Sequence, residues 1–298
     1  MTDSPSLQSG AQRAGRYKAA HAALGENQNV PAGAWGRLAR SCLEELGDLP
    51  EGANLGFLYA TDALAEDLGS IVTFLRERSG IRHWVGTVGH GVVANGLELY
   101  DRPALSLMVA ALPDDGFRTF APIGAGAAPD GLAAFADAHA GWIARQRPIL
   151  GVVHADPRSP EIVETIEALA DTTSAFLVGG LTASEGIFPQ VATDISPRDG
   201  EGGLSGVLFG TGQVVVSGLS QGCTPIGSDH LVGEVEAPGI VKTLDDRPAL
   251  DVLREDIGEL LARDLNRIGG YIFVALPIPG SDTGDYLVRN LVGLDLER

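Results

Sequence analysis

Polar and ionisable side chains follow the strongly apolar stretches in the first third of the chain, and their types suit a small polar ligand. Thr61 and Asp62 follow the apolar run 55–60, and Thr87 and His90 belong to the end of the next such run. Carboxylates and imidazoles accept hydrogen bonds from an ammonium group, whereas hydroxyls donate them to a carboxylate. A zwitterion such as an amino acid needs both kinds of partner, so these residues predict a site for such a ligand.

A second set of such residues follows two later apolar stretches. Because ligands of open α/β sheets bind outside the carboxyl ends of the strands, both sets predict one kind of site, made of strand-end loops. Thr61 and Asp62 are equally suited to capping a following helix. In the second set Ser159 is well placed to cap the helix, which leaves His154 and Asp156 without an obvious structural role. The second set of predicted ligand-binding residues is His154, Asp156, Gly180, Thr182 and Ser184.

An enzyme is the alternative function. A hydrolase or a metal-dependent enzyme would use His90, His154 and Asp156, since His-x-Asp places two side chains on one side of an extended segment. A metal ion needs more ligands than this pair supplies. Segment 218–222 matches the Gly-x-Ser-x-Gly elbow, but the residues around Pro225 do not predict the helix that an elbow requires. We therefore predict no catalytic residue, metal ligand or cofactor, and the residues favour a binding protein over an enzyme.

The elements that must position these residues occur twice in the chain. The first strands of the two copies are offset by 95 residues (150 − 55) and the next strands by 93 (179 − 86). Such self-similarity predicts a repeated structural unit. We expect an α/β fold in which a duplicated βαββ unit forms mixed sheets, followed by a smaller α+β module. The paired segments are 55–62 with 150–157, 63–78 with 159–170, 84–87 with 177–180, and 104–112 with 204–209.

The same patterns predict three regions along the chain. The first is a polar tail with a short helix near Arg16–Gly25, and the second is a module of two similar halves. In the third region we expect a hairpin, a helix that begins at Pro248 and two further strands. The predicted regions are 1–34, 35–221 (with halves at about 50–115 and 148–215) and 222–298.

Composition excludes several functions and locations. A net charge of −18 argues against nucleic-acid binding, which needs clustered Lys and Arg. No apolar run approaches the roughly 20 residues that span a bilayer, and segment 1–15 has no apolar signal core. The two cysteines fit neither a disulfide framework nor a metal site. We therefore expect a cytoplasmic protein that has no nucleic-acid or membrane partner.

In the order and spacing of its motifs, the chain resembles FIST-domain proteins. The resemblance implies an intracellular sensory module for a small ligand, with amino acids suggested, and a partial C-terminal module, because this chain stops at Arg298 where members continue. An unfinished module also predicts a possible homodimer. Eukaryotic relatives with an F-box suggest an interaction scaffold as a third function. The matching segments are 55–59, 85–91 and 178–180 for the N-terminal module, and 225–227, 244–250 and 286–293 for the C-terminal one.

Overall fold

Two mixed β-sheets form the centre of the first of two compact units, Met1–Val215 and Val216–Arg298. The structure is a computed structural model. The prediction of an α/β fold with mixed sheets is confirmed. The residues that the structure describes are 16–25, 31, 33–124, 131–192, 202–218, 222–237, 239–262, 265, 271–278 and 286–294.

The first unit contains eleven strands and five helices among its described residues. Its strands are β1 (Tyr17–Ala23), β2 (Leu55–Thr61), β3 (His83–Gly89), β4 (Gly91–Ala94), β5 (Leu97–Tyr100), β6 (Ala104–Ala110), β7 (Phe117–Ile123), β8 (Leu150–Ala155), β9 (Phe176–Leu181), β10 (Gln190–Ala192) and β11 (Leu204–Phe209). Its helices are α1 (Ala34–Leu46), a 3-10 helix (Asp62–Asp67), α2 (Leu68–Ser79), α3 (Gly131–Gln146) and α4 (Ile162–Thr173).

The two main sheets use the same strand order and directions. The first sheet has the order β1-β6-β2-β3-β10, and the second has the order β7-β11-β8-β9. In each sheet a parallel pair, β2–β3 or β8–β9, adjoins an antiparallel neighbour, β6 or β11. The shared order supports the proposed duplication. One strand departs from the pattern, because β10 comes from the second half of the unit and pairs with β3 of the first.

The two sheets pack face to face, and helices cover their outer faces. Side chains alternate along β2, so Leu58 faces the helices α1 and α2 whereas Phe57 faces the second sheet. Val153 on β8 similarly packs with α3 and α4, and Val152 contacts the inter-sheet core. Because both faces are covered, these strands are continuous apolar runs. Each fully buried large side chain contributes about 1.5–3 kcal/mol.

Segment 17–23 forms β1, so the short helix predicted at Arg16–Gly25 is wrong. β1 pairs antiparallel with β6 over its whole length, and Ala20 is fully buried. Its Ala and Lys residues favour a helix locally, but backbone pairing at the sheet edge outweighs that weak preference. Lys18 adds a tertiary contact, because its Nζ donates to the Leu46 carbonyl at 3.1 Å and to the Asp48 carbonyl beyond the end of α1.

The second unit consists of short strand pairs and one helix. The predicted hairpin is present but shorter than expected, and the helix begins one residue after Pro248. Among the described residues, no helix is long and apolar enough to cross a membrane. The elements are β12 (Val235–Glu236), β13 (Ile240–Val241), β14 (Thr243–Leu244), β15 (Arg247–Pro248), α5 (Ala249–Ala262), β16 (Phe273–Pro277) and β17 (Tyr286–Asn290).

Candidate functional site

A tyrosine and a histidine from the two halves meet in the space between the sheets. Tyr59 on β2 and His154 on β8 lie at positions that differ by 95 residues, the offset of the sequence repeat. The Tyr59 hydroxyl is 3.0 Å from His154 Nε2, and the two rings pack edge to face with centroids 5.5 Å apart. The equivalent positions of the two halves therefore contact each other directly.

Both rings are uncharged at neutral pH, and burial widens the pH range over which they stay so. His154 is only 3% exposed, and desolvation lowers its pKa to about 4. Desolvation also raises the pKa of Tyr59 to about 12. The Nε2 atom of His154 is bonded to Tyr59, whereas its buried Nδ1 has no hydrogen-bond partner among the described residues. An unpaired buried nitrogen of this kind costs free energy until a partner reaches it.

Gly180, an exposed residue of β9, leaves open space at the position that pairs with His154. Gly180 pairs with His154 in the parallel register of β9 and β8, so the two positions face the same side of the sheet. A Cβ added at Gly180 would meet no atom within 4 Å. The position of the first half that is equivalent to Gly180 lies 93 residues earlier (180 − 93) and carries Thr87. The second half therefore has room where the first half has a side chain.

Two pairs of predicted residues join the loops of the two halves. Thr87 donates to the Pro189 carbonyl at 2.9 Å, so its single proton is committed and Thr182 must donate to the Thr87 oxygen at 2.7 Å. Ser184 donates to Asp62 Oδ1, and the backbone N–H of Glu185 donates to Asp62 Oδ2 at 3.3 Å. These bonds attach the loop after β9 to the ends of β2 and β3.

Asp156 has a structural role. The sequence led us to expect that Ser159 would cap the next helix and that the Asp156 side chain would have no structural partner. Helix α4 begins only at Ile162, and the Ser159 N–H instead donates to the Asp156 carbonyl at 3.1 Å. The Asp156 carboxylate is 1% exposed and accepts bonds from the backbone N–H, Nε and Nη2 of Arg158. Burial alone would raise the pKa of Asp156, but the bonds and charge of Arg158 hold it below its usual value.

Thr61 and His90 lie apart from these contacts. Thr61 donates to the Arg102 carbonyl and accepts from the Ala104 N–H, both at 2.9 Å, so it joins β2 to β6 and makes no helix-capping bond. His90 is exposed between β3 and β4. The enzyme alternative combined His90, His154 and Asp156, but His154 is bonded to Tyr59 and Asp156 to Arg158.

Sequence reasoning missed three polar residues of the buried cluster. Tyr59 lies inside an apolar run, and its one signal was the 95-residue spacing from His154. Gln190 donates to the Gly203 carbonyl at 3.1 Å and accepts from Ser205 at 2.5 Å, and both side chains are buried. Ser205 pairs with His154 in the register of β11 and β8. The sequence signal that could have identified Gln190 and Ser205 was the presence of a polar residue within an otherwise apolar strand.

An open cleft of about 810 Å³ lies elsewhere on the first unit, among α1, the 3-10 helix, α2 and the loop before β10. None of the nine predicted site residues lines it. Within the described ranges, no group of three His, Cys, Asp or Glu residues is arranged to hold a metal ion. Residues 219–221 of the Gly-x-Ser-x-Gly match at 218–222 lie outside the described residues.

The Thr87–Thr182 bond should contribute measurable coupling between the halves. Thr87→Val should lower the free energy of unfolding by about 1–2 kcal/mol, because it removes the partner of both the Thr182 hydroxyl and the Pro189 carbonyl. Thr182→Val should lower it by about 1 kcal/mol, because it removes one bond while the Thr87 hydroxyl keeps its bond to Pro189. In urea unfolding, the double variant should lower the free energy of unfolding by about 1 kcal/mol less than the sum of the decreases in the two single variants. If the decreases of the two single variants simply added in the double variant, the two hydroxyls would not interact. Thr73→Val, on the exposed face of α2, provides the control.

Comparison with known proteins matches most of the chain to one family. Residues 54–247 match the family model described as the FIST N domain. Two proteins of Mycobacterium tuberculosis, Uncharacterized protein MT0656 (strain CDC 1551 / Oshkosh) and Uncharacterized protein Rv0628c (strain ATCC 25618 / H37Rv), are each similar to it. Each is 32% identical over 222 residues, which cover 71% of this chain and 54% of the relative. The chain thus spans about half the length of these relatives.

Proposed function

Because the chain belongs to the FIST N domain family, a family of sensory domains thought to bind small ligands, we propose that it is an intracellular sensory protein. Its ligand is an amino acid or a similar small molecule, bound between the strand-end loops of the two halves. The proposed ligand-binding residues remain Thr61, Asp62, Thr87, His90, His154, Asp156, Gly180, Thr182 and Ser184. Thr61 and Asp156 act by positioning these loops, since their side chains are bonded within the protein.

One pair of observations supports this proposal: His154 Nδ1 is buried without a partner among the described residues, and Gly180, which pairs with His154 in the register of β8 and β9, is exposed and leaves open space. A ligand group that fills this space would satisfy a buried nitrogen that the described residues leave without a partner. The imidazole and the Tyr59 phenol are both neutral at pH 7, so they suit an uncharged polar group of the ligand.

The loop contacts supply partners for the charged end of a zwitterion. A carboxylate has about four lone-pair sites, and Asp62 uses one on each oxygen for Ser184 and Glu185. Asp62 is half-buried, so its remaining sites are available to an ammonium group. This arrangement supports an amino acid over a simple carboxylate as the ligand.

A thermal-shift screen of the amino acids and small carboxylates tests the proposal. A ligand at a hundredfold excess over its Kd stabilises the folded state by about 2.7 kcal/mol. For a protein of this size, that corresponds to a rise in Tm of roughly 5–10 °C. A screen without any shift would count against a ligand of these classes.

Gly180→Ala locates the site for any ligand that the screen identifies. The added methyl meets no atom within 4 Å, so the Tm of the free protein should stay within about 1 °C while the ligand-induced shift disappears. Gly186→Ala, which also adds a methyl in open space, should retain the full shift. An undiminished shift in Gly180→Ala would place the ligand elsewhere.

Three further expectations belong to the same proposal. Residues 222–298 represent a partial FIST C-terminal module, on the strength of the motifs at 225–227, 244–250 and 286–293. The protein is cytoplasmic, and it forms a homodimer. No nucleic-acid partner is proposed, because the net charge of −18 opposes phosphate binding.

A further inference from the structure

The open cleft on the first unit combines aromatic and acidic side chains. Trp35 and Phe74 form one part of its lining, in edge-to-face contact with ring centroids 6.1 Å apart. Glu66 and Glu77 are its two carboxylates, and both are exposed. The described lining residues include no Arg, Lys or His. Its volume of about 810 Å³ falls in the range of small-molecule sites.

The opposite part of the lining is fixed by contacts of the strand-end loops. Ile187 and Pro189 line the cleft and belong to the loop that follows β9. That loop is held at Pro189 by the Thr87 hydroxyl and at Ala183, whose N–H donates to the Val88 carbonyl at 3.2 Å. Ile187 also packs against the core formed by α1 and α2. The cleft therefore exists before a ligand arrives, which lowers the cost of binding.

The charges and rings of the cleft favour a cation. Each carboxylate attracts an ammonium group, and an aromatic face attracts a cation through its quadrupole. The guanidinium carbon of Arg78, which does not line the cleft, lies 5.9 Å from the Phe74 centroid and illustrates this attraction. Ala65, Ile187 and Pro189 add apolar surface for the remainder of a ligand.

We propose that this cleft is a second binding site, for a small organic ammonium ion that carries an apolar group. The site is separate from the proposed amino-acid site, since none of the nine residues of that site lines the cleft. The ammonium group lies toward Glu77, which is one turn of α2 from Phe74, and the apolar group packs against Trp35, Phe74 and Ile187. This inference does not depend on the ligand of the strand-end loops.

Calorimetric titration with 2-phenylethylamine and its uncharged analogue 2-phenylethanol tests the proposal on the full chain at pH 7. The amine should bind about tenfold more tightly than the alcohol, because only the amine carries a charge that interacts with a carboxylate of the cleft and with its rings. The preference should diminish as salt is raised from 0.05 M to 0.5 M, since the carboxylates are exposed. Equal binding of the two probes, or no binding of the amine, would overturn the proposal.

The double variant Glu66→Gln with Glu77→Gln locates the effect. It should reduce the affinity for the amine about tenfold and leave that for the alcohol unchanged. The control is Glu164→Gln with Glu167→Gln, which removes two exposed carboxylates from α4 and changes the net charge equally. The control should bind the amine like the wild type. An equal loss in both double variants would show that only the overall charge matters, and would refute a site in this cleft.

Discussion

Gly86→Ala should lower the free energy of unfolding by about 3 kcal/mol or more, one of the largest effects of any single methyl in this protein. Gly86 lies in the middle of β3 with φ +152°, and an added Cβ would overlap the backbone carbonyl oxygen of Leu58 on the neighbouring strand. Side-chain movement cannot relieve a clash with backbone, so β2 and β3 must separate. We expect a drop in Tm of roughly 6–12 °C.

Gly179 provides an independent repeat of this experiment. It has φ +156°, and its Cβ would overlap the Val153 carbonyl oxygen on β8, so Gly179→Ala should be similarly costly. The adjacent Gly180→Ala is the matched control, because it adds the same methyl to the same strand in open space. Thermal unfolding of all three variants tests the expectation. A Gly179→Ala variant as stable as Gly180→Ala would show that the strands accommodate the methyl.

Acidification from pH 6.5 to pH 4 should remove about 3 kcal/mol of stability through His154 alone. The pKa of His154 is lowered from 6.5 to about 4 by burial. Over this range the unfolded chain binds a proton that the folded protein does not, so the free energy of unfolding falls as the pH falls. The contribution of His154 to the free energy of unfolding is fully present above pH 6.5 and is lost by about pH 4.

His154→Gln isolates this contribution from the titration of the carboxyl groups. The amide keeps a polar group near Tyr59 but does not titrate, so the variant should lose about 3 kcal/mol less than the wild type between pH 6.5 and 4 in urea unfolding. His139→Gln is the control. The pKa of His139 is also lowered by burial and by Arg118, but this residue is only half-buried, so a smaller change is expected. Identical pH dependence in the wild type and His154→Gln would contradict a neutral buried imidazole.

The repeat offsets predicted the central strands because those strands depend mainly on local sequence. An apolar run such as 55–60 indicates a strand covered on both faces, and it appears as β2. β1 was missed, since its Ala and Lys residues favour a helix and only pairing with β6 makes it a strand. The start of α4 was also misplaced. Ser159 resembles a cap, but the turn held by Asp156 and Arg158 delays the helix to Ile162.

The sequence predicted those contacts of the candidate site that involve residues following a strand. It did not predict the contacts that form where the two sheets pack against each other. Thr87 with Thr182, and Asp62 with Ser184, were selected as strand-end residues and are hydrogen-bonded. Tyr59 could not be recognised, because its contact with His154 depends on how two sheets pack across the interior. The cleft was missed for a related reason, since its lining combines residues from separate helices and a loop.

The contact between Tyr59 and His154 also makes the two halves chemically unequal at their equivalent positions. If both equivalent positions carried the same residue, a molecule placed between the halves would meet two interchangeable surfaces and have two equal poses. Here one side offers a phenol and the other an imidazole with an unused nitrogen, next to Gly180 on one half and Thr87 on the other. The two halves are thus chemically unequal at these positions, and a ligand of the site proposed above would have one preferred orientation.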